Sequence, residues 1–142
     1  MSTYADSSFL VSIYVQDAHS DTADQHMMKL PSVWLTPFHR TELAHAIYLH
    51  VFYKKISRSD AGLLWDDFEF DCRRGVWKPA GLPEHAWETA VQLVRQYGPT
   101  LGVRTLDTLH VACALELHAE RFWTFDARQA RLAKAVGLDL DA

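Results

Sequence analysis

The stretch RFWTFDARQARLAKAVG, residues 121–137, decides the fold class of this chain. Its first part, residues 121–125, combines aromatic and β-branched side chains in the manner of a strand, which Asp126 ends. Residues 127–136 have the spacing of a helix, and Gly137 closes it. A strand followed directly by a helix is the unit from which parallel sheets are built.

The same succession of strand and helix recurs through the rest of the chain. The predicted strands are 3–6, 32–36, 121–125 and a short extended piece at 138–140. The predicted helices are 8–16, 37–55, 57–72, 83–97, 106–117 and 127–136, with Gly98-Pro99 stopping the fourth. We therefore expect an α/β fold in three layers, with a mainly parallel central sheet flanked by helices.

Length and composition indicate one ordinary globular domain that spans residues 1–142. The chain has 142 residues, of which 49% are hydrophobic and 23% are charged, and both fractions are far from those of disordered chains. We find no internal repeat, low-complexity tract or flexible linker that would mark a domain boundary. Its two cysteines, Cys72 and Cys113, lack framework spacing, so we expect reduced thiols that pack in the core.

Charge and hydropathy patterning narrow the class of protein further. The N-terminus has no basic segment followed by an apolar one, and nowhere do eighteen apolar residues follow one another. We therefore expect a soluble, cytoplasmic protein without membrane contact. The net charge, 14 − 18 = −4, argues against a protein that grips nucleic acid through a broad basic surface.

Four carboxylates occupy the places where ligands bind in folds of this class. Asp6 and Asp126 each end a predicted strand, while Glu42 and Asp107 lie in the first turns of predicted helices. Taken singly, each is explained as a helix cap or an exposed helix residue. Because ligands lie outside the carboxyl ends of parallel strands, the four together predict one acidic pocket.

A pocket of this composition favours a divalent metal ion. Carboxylates a few ångströms apart repel one another, and a bound dication removes that conflict. Ligands that are all oxygen favour Mg²⁺ or Mn²⁺ over Zn²⁺. Two such ions, roughly 3.5–4 Å apart, activate water and hydrolyse phosphodiesters, so the pattern predicts a metal-dependent phosphodiesterase.

Four motifs give the chain its resemblance to a known family. They are YADSSFL at 4–10, TELAHA at 41–46, RTLDTLHVA at 104–112 and TFD at 124–126. In order and spacing they resemble the PIN-domain nucleases and, within these, the VapC-type toxins of bacterial toxin–antitoxin pairs. The resemblance spans nearly the whole chain.

The resemblance implies a function, partners and roles for particular residues. It implies an endoribonuclease that uses Mg²⁺ or Mn²⁺, forms a homodimer and is inhibited by a small antitoxin. Asp6 and Asp107 would be the principal metal ligands, with Asp126 and Glu42 completing the site directly or through water. The hydroxyls of Ser8 and Thr124 resemble those that orient carboxylates or water around the metal, although a helix cap and an ordinary strand residue are equal alternatives.

Substrate and partner contacts are less sharply indicated. Arg104 and Arg128 flank two of the acids, where they would touch phosphate oxygens or only pair with carboxylates. The segment 54–98 matches the family least, and we expect variable dimer or antitoxin surfaces around it, with core packing as the alternative for each aromatic residue. The aromatic residues concerned are Phe52, Tyr53, Trp65 and Trp77.

Two other functions remain open at this point. Glu42-x-x-His45 and Asp107-x-x-His110 have the carboxylate-x-x-His form of carboxylate-bridged di-metal oxidoreductases, although such sites need two further glutamates and His110 also fits a hydrogen-bonded core histidine. A catalytically silent domain that binds RNA or protein is the second alternative. A missing acid would mark such a domain, and none of the four is missing.

Overall fold

The computed structural model describes residues 1–140, and in this range a four-stranded sheet is flanked by seven helices. The sheet is parallel throughout, with strand order β3-β2-β1-β4. Its strands are β1 (Ser2–Ala5), β2 (Ser32–Leu35), β3 (Trp77–Pro79) and β4 (Arg121–Trp123). The helices are α1 (Ser7–Tyr14), α2 (Ser20–Met27), α3 (Pro37–Phe52), α4 (Arg58–Arg73), α5 (Ala86–Leu101), α6 (Thr105–Glu116) and α7 (Ala127–Ala135). The predicted α/β fold with a parallel central sheet is confirmed.

Helices cover both faces of the sheet because successive strand residues point to opposite sides. Tyr4 and Phe122 pack in a core with residues of α5, α6 and α7. Their neighbours Ala5 and Trp123 pack in a second core with residues of α1, α2, α3 and α4. The sheet is therefore the middle layer of three, which is the arrangement that the sequence predicted.

The connections between the strands create a topological switch at the centre of the sheet. From β1 the chain moves to β2 and then β3, and it returns on the other side of β1 to form β4. Ala5 lies opposite Trp123 in the β1–β4 pair, so these two strands end together. A crevice at the carboxyl ends of two such strands is where ligands bind in open α/β sheets.

The sequence missed two elements. Helix α2, SDTADQHM, is mostly polar, and only Ser20 and Ala23 are buried, so it lacks the apolar periodicity that predicts a helix. Strand β3 has three residues, lies at the sheet edge and ends in Pro79. Proline has no N–H to donate, and an edge strand tolerates this because one of its sides has no partner strand. Trp77, which lies between the predicted helices 57–72 and 83–97, belongs to this strand and is buried.

The predicted stop of the fourth helix at Gly98-Pro99 was wrong. Helix α5 continues through both residues to Leu101 and ends at Gly102, whose φ of 62° is left-handed. Pro99 removes one helical hydrogen bond but has a helical φ. Tyr97 and Leu101 pack against the core on either side of the pair, and this packing outweighs the lost bond.

Several predicted boundaries shift by a few residues, as tertiary contacts replace local preference. Strand β4 ends at Trp123 instead of residue 125, and the predicted extended piece at 138–140 makes a single bridge, between Asp139 and Arg121.

No helix in residues 1–140 is long and apolar enough to cross a membrane. Cys72 and Cys113 lie on helices as free thiols, as predicted.

Two phenylalanines of α4 provide a matched test of the packing. Phe68 is 0% exposed and Phe70 is 51% exposed. We expect Phe68→Ala to lower the free energy of unfolding by about 3–5 kcal/mol, since it leaves a cavity, and Phe70→Ala to lower it by less than about 1 kcal/mol. Urea unfolding measures both, and equal losses would contradict the assignment of α4 to the core.

Candidate active site

Asp6 lies at the switch point, directly after β1. It is 4% exposed, and its backbone amide donates to the carbonyl of Trp123 at 3.1 Å. Its side chain caps α1 by accepting the amide of Phe9 at 2.9 Å. The hydroxyl of Ser8 lies 2.8 and 2.9 Å from its two carboxylate oxygens, and that of Thr124 lies 2.9 Å from Oδ2. One backbone amide and two hydroxyls thus fix its orientation.

Burial and hydrogen bonding act in opposite directions on this carboxylate. Burial raises the pKa of Asp6 above its ordinary value, and hydrogen bonds from Phe9, Ser8 and Thr124 offset only part of that rise. A negative charge here is therefore costly unless a cation lies near it.

Glu42, on the second turn of α3, is held from two sides. The Ser7 hydroxyl donates to Oε1 at 2.6 Å, and His110 Nε2 lies 2.6 Å from the same oxygen. Burial raises the pKa of Glu42, but the hydrogen bonds from His110 and Ser7 outweigh burial, and the pKa lies below its ordinary value. Glu42 is therefore kept ionised next to Ser7, the residue that follows Asp6.

His110 joins Glu42 to the core of the sheet. Its Nδ1 lies 2.7 Å from the hydroxyl of Tyr4 on β1, and its ring stacks on Phe38 with centroids 4.0 Å apart. Because a carboxylate only accepts, the Nε2–H of His110 must donate to Glu42. His110 is buried and hydrogen-bonded, as predicted.

His39 ties the start of α3 to the end of β1. Its Nδ1 accepts the amide of Thr36 at 3.1 Å, which leaves Nε2–H to donate to the carbonyl of Ala5 at 2.7 Å. Desolvation by burial lowers the pKa of His39 to about 3. This neutral histidine holds the strand that carries Asp6 against the helix that carries Glu42.

Asp107 and Asp126 share a cation, Arg104. Arg104 Nε lies 3.1 Å from Asp107 Oδ2, and its Nη2 lies 3.9 Å from Asp126 Oδ2. The two acids and Arg104 line a cavity of about 430 Å³ together with Arg128 and Arg131. The side chain of Arg104 is 75% exposed, so water screens this ion pair and the guanidinium can leave at little cost.

Gln129, which is fully buried on α7, connects the two halves of the site. Its side-chain Nε2 donates to the backbone carbonyl of Asp107 at 3.1 Å, and its backbone amide donates to Asp126 Oδ1 at 2.8 Å. Its Oε1 lies 2.6 Å from the Thr124 hydroxyl, which also faces Asp6. A chain of polar contacts therefore runs from Asp6 through Thr124 and Gln129 to the backbone of Asp107, in which Asp6 Oδ2 and Gln129 Oε1 share the single proton of the Thr124 hydroxyl.

The donor set fits a hard dication in its chemistry. The four acids offer only carboxylate oxygens, the ligands that Mg²⁺ and Mn²⁺ prefer. In residues 1–140 as arranged, no group of three His, Cys, Asp or Glu side chains is close enough to hold one ion. Arg104 instead neutralises Asp107 and Asp126. A metal ion that used both acids would therefore displace the guanidinium.

The sequence indicated the four acids but not the residues that position them. It indicated no role for Ser7, His39 or Gln129, and it offered His110 either as a core histidine or as part of the Asp107-x-x-His110 pair. Ser7 and His110 carry a usable signal, because each lies close in sequence to one of the acids. His39 and Gln129 also lie three residues from an acid, but the backbone carbonyls of Ala5 and Asp107 that they contact are distant in sequence, so the sequence does not indicate these two contacts.

The arrangement disfavours the di-metal oxidoreductase alternative. His45 is exposed, while His110 bonds to Glu42 instead of facing a metal beside Asp107. The carboxylate-x-x-His pairs are therefore not paired as such a site requires. A larger cavity of about 570 Å³ near the starts of α3 and α6 is lined mainly by apolar side chains and offers no acid or histidine.

Comparison with known proteins gives one family and several similar folds. The family profile described as "PIN domain" matches residues 3–135. A comparison with curated protein sequences finds no match.

Three solved structures resemble the chain over nearly its whole length. The first is VapBC2 from Rickettsia felis bound to a DNA fragment from its promoter (14% identity, TM-score 0.69, 99% of this chain and 98% of that one). FitAcB from Neisseria gonorrhoeae has 14% identity, TM-score 0.73, and coverage of 99% and 96%. VapC20 from Mycobacterium tuberculosis, a sarcin-ricin loop cleaving toxin, has 15% identity, TM-score 0.68, and coverage of 99% and 99%. At these identities the likeness shows the fold.

The burial of His39 makes stability depend on pH. The unfolded chain takes up this proton near pH 6.5, whereas the folded protein does so only near pH 3. The stability that neutral, buried His39 contributes to the free energy of unfolding is therefore fully present above about pH 6.5. It is lost as pH falls toward 3, by up to about 1.4 kcal/mol per pH unit. We expect His39→Gln to remove this part of the slope, as measured by urea unfolding across the range. The exposed His45→Gln is the control, and an unchanged slope in His39→Gln would refute the buried neutral state.

Proposed function

The chain belongs to the PIN-domain family, and from that premise we propose that it is a divalent-metal-dependent endoribonuclease, the toxin of a toxin–antitoxin pair. The observation that carries the proposal is the set of contacts that links buried Asp6 through Thr124 and Gln129 to the backbone of Asp107 and to Asp126. PIN domains are typically nucleases. The fold shared with a sarcin-ricin loop cleaving toxin adds support.

We assign metal binding to the four acids. Asp6 and Asp107 would be the principal ligands of Mg²⁺ or Mn²⁺, with Asp126 and Glu42 completing the site directly or through water. When bound, the metal would supply activation of water and neutralisation of charge at the phosphodiester. The high cost of a bare negative charge at Asp6 supports this assignment, since a dication offsets it.

The other residues of the site orient these acids and the substrate. Ser8 and Thr124 hold the carboxylate of Asp6 in one orientation, and Ser7 with His110 holds Glu42 ionised. With the acids engaged by a metal, Arg104 would be free to bind a phosphate oxygen of the RNA. We assign Arg128, in the same cavity, to a second phosphate contact.

We propose a small antitoxin as the partner, a homodimer as the assembly and the cytoplasm as the location. Two of the similar structures, VapBC2 and FitAcB, are toxin–antitoxin complexes by their names. Phe52 and Tyr53, at the end of α3, are both more than half exposed, which suits a dimer or antitoxin surface. Trp77 is buried and Trp65 is half-buried beneath Arg40, so these two pack in the fold instead.

The alternative, a catalytically silent domain that binds RNA or protein, keeps the fold but needs no metal. All four acids are present here, and the hydroxyls of Ser8 and Thr124 contact the Asp6 carboxylate in addition to the amide that it caps, which a silent domain does not need. Metal-dependent cleavage therefore separates the two functions.

Asparagine variants of the principal acids test the proposed chemistry. We expect Asp6→Asn and Asp107→Asn to lower RNA cleavage in Mg²⁺ or Mn²⁺ by at least about 10²-fold, since each removes a charge that holds the metal. Asn caps a helix about as well as Asp, so the fold should remain. Cleavage of a labelled RNA pool by gel, with EDTA as the blank, measures this.

The exposed acid Asp66 supplies the control, since Asp66→Asn makes the same change on α4. Wild-type rates in both site variants would refute the assignment of the acids. No cleavage by the wild-type protein with either metal would favour the silent domain.

Arg104 tests whether the metal and the guanidinium compete. We expect Arg104→Ala to raise the affinity for Mn²⁺ by up to about fivefold, since exposed ion pairs contribute about 0.2–1 kcal/mol. The same variant should weaken RNA binding, because a phosphate contact is lost. Isothermal titration with Mn²⁺ measures the first effect, with Arg95→Ala on α5 as the control. Weaker Mn²⁺ binding by Arg104→Ala would contradict the competition.

A further inference from the structure

The exposed face of α7 carries one kind of charge. Its cations follow one another at intervals of three residues and are all exposed: Arg128, Arg131 and Lys134. Ala127 and Ala135 complete the face. Its opposite face is buried through Gln129, Leu132 and Ala133. No acid lies within the helix, and the chain as a whole is acidic with a net charge of −4.

These three cations have no partner in the part of the chain that the structure describes. Other arginines do pair: Arg40 with Glu69, and Arg104 with Asp107. None of the three on α7 takes part in an ion pair or a side-chain hydrogen bond in residues 1–140. A row of unpaired cations in an acidic protein attracts anions to that place.

The row begins at the acids and leads away from them. Asp126 caps α7, and Arg128 and Arg131 line the same cavity as Asp107 and Asp126. Each step of three residues advances about 4.5 Å along the helix axis, so Lys134 lies about 9 Å beyond Arg128. The face therefore continues the candidate site in one direction.

The composition of the face indicates what binds there. Protein interfaces are centred on aromatic and large apolar side chains, and α7 has no exposed large hydrophobic residue. Its exposed residues are alanines and cations, which suit a regularly spaced polyanion with little apolar surface. A phosphodiester backbone has this chemistry.

We propose that the exposed face of α7, through Arg128, Arg131 and Lys134, binds the backbone phosphates of single-stranded RNA that extends from the cleavage site. This inference rests on the proposed function, which supplies the RNA. It adds Arg131 and Lys134 to the substrate contacts and gives the RNA a direction across the protein. The contacts are to phosphate, so they do not read sequence.

Salt dependence of binding tests the proposal. Fluorescence anisotropy of a 5′-labelled single-stranded 12-nucleotide RNA, in EDTA to prevent cleavage, gives the binding constant between 50 and 300 mM KCl. We expect Arg131→Ala and Lys134→Ala each to reduce the slope of log K against log salt by about 0.7, the value per phosphate contact on a single strand. Both should weaken binding by the same factor for two RNAs of unrelated sequence.

Lys55→Ala is the matched control. Lys55 is exposed and follows the far end of α3, which starts at the carboxyl edge of the sheet and runs about 24 Å away from it. This variant should keep the wild-type slope. Alanine is a strong helix former, so the α7 variants should fold, and circular dichroism checks this.

Two outcomes would overturn the proposal. One is a wild-type slope in both α7 variants, and the other is an equal loss in Lys55→Ala, which would indicate net charge alone. If the α7 variants kept the wild-type salt slope but bound an acidic partner protein less tightly, the face would belong to that partner. This result would also overturn the proposal. Failure of the proposed function would be seen separately. If the α7 variants had a reduced slope but the wild-type protein showed no metal-dependent cleavage, the chain would be an RNA-binding domain and the α7 contact would stand.

Discussion

The burial of the Asp6 carboxylate at the carboxyl edge of a parallel sheet is the constraint on which the rest of the site depends. The reversal of strand order between β1 and β4 brings Asp6 against Thr124. A carboxylate buried there needs compensation. Hydrogen bonds from Ser8 and Thr124 stabilise Asp6, while Arg104 lies between Asp107 and Asp126.

Compensation of this kind also prepares a site for a cation. The acids are held by groups that fix orientation, and Gln129 couples the α6 and α7 sides of the pocket to Thr124. The guanidinium that pairs with Asp107 and Asp126, that of Arg104, is exposed and weakly held. A pocket whose acids are fixed and whose counter-ion is loose favours exchange of that ion for a metal.

The sequence predicted the fold class and the four acids for the same physical reason. Asp6 directly follows β1, Asp126 caps α7 three residues after β4, and these two parallel strands end on one edge. It failed where no local pattern existed. Polar α2 and the three-residue β3 are held by tertiary packing, and Pro99 was overridden by the packing of Leu101. His39 could not be predicted, because its role depends on the carbonyl of Ala5, which is remote in sequence.

The central claim is that Asp6 and Asp107 together bind a divalent cation. A crystal structure of the protein soaked in Mn²⁺, with anomalous scattering recorded at the manganese edge, tests it most directly. The account predicts an anomalous peak within coordination distance, roughly 2.0–2.3 Å, of carboxylate oxygens of both Asp6 and Asp107, with Arg104 turned away from Asp107. Manganese bound elsewhere on the protein, with Arg104 still between Asp107 and Asp126, would contradict it.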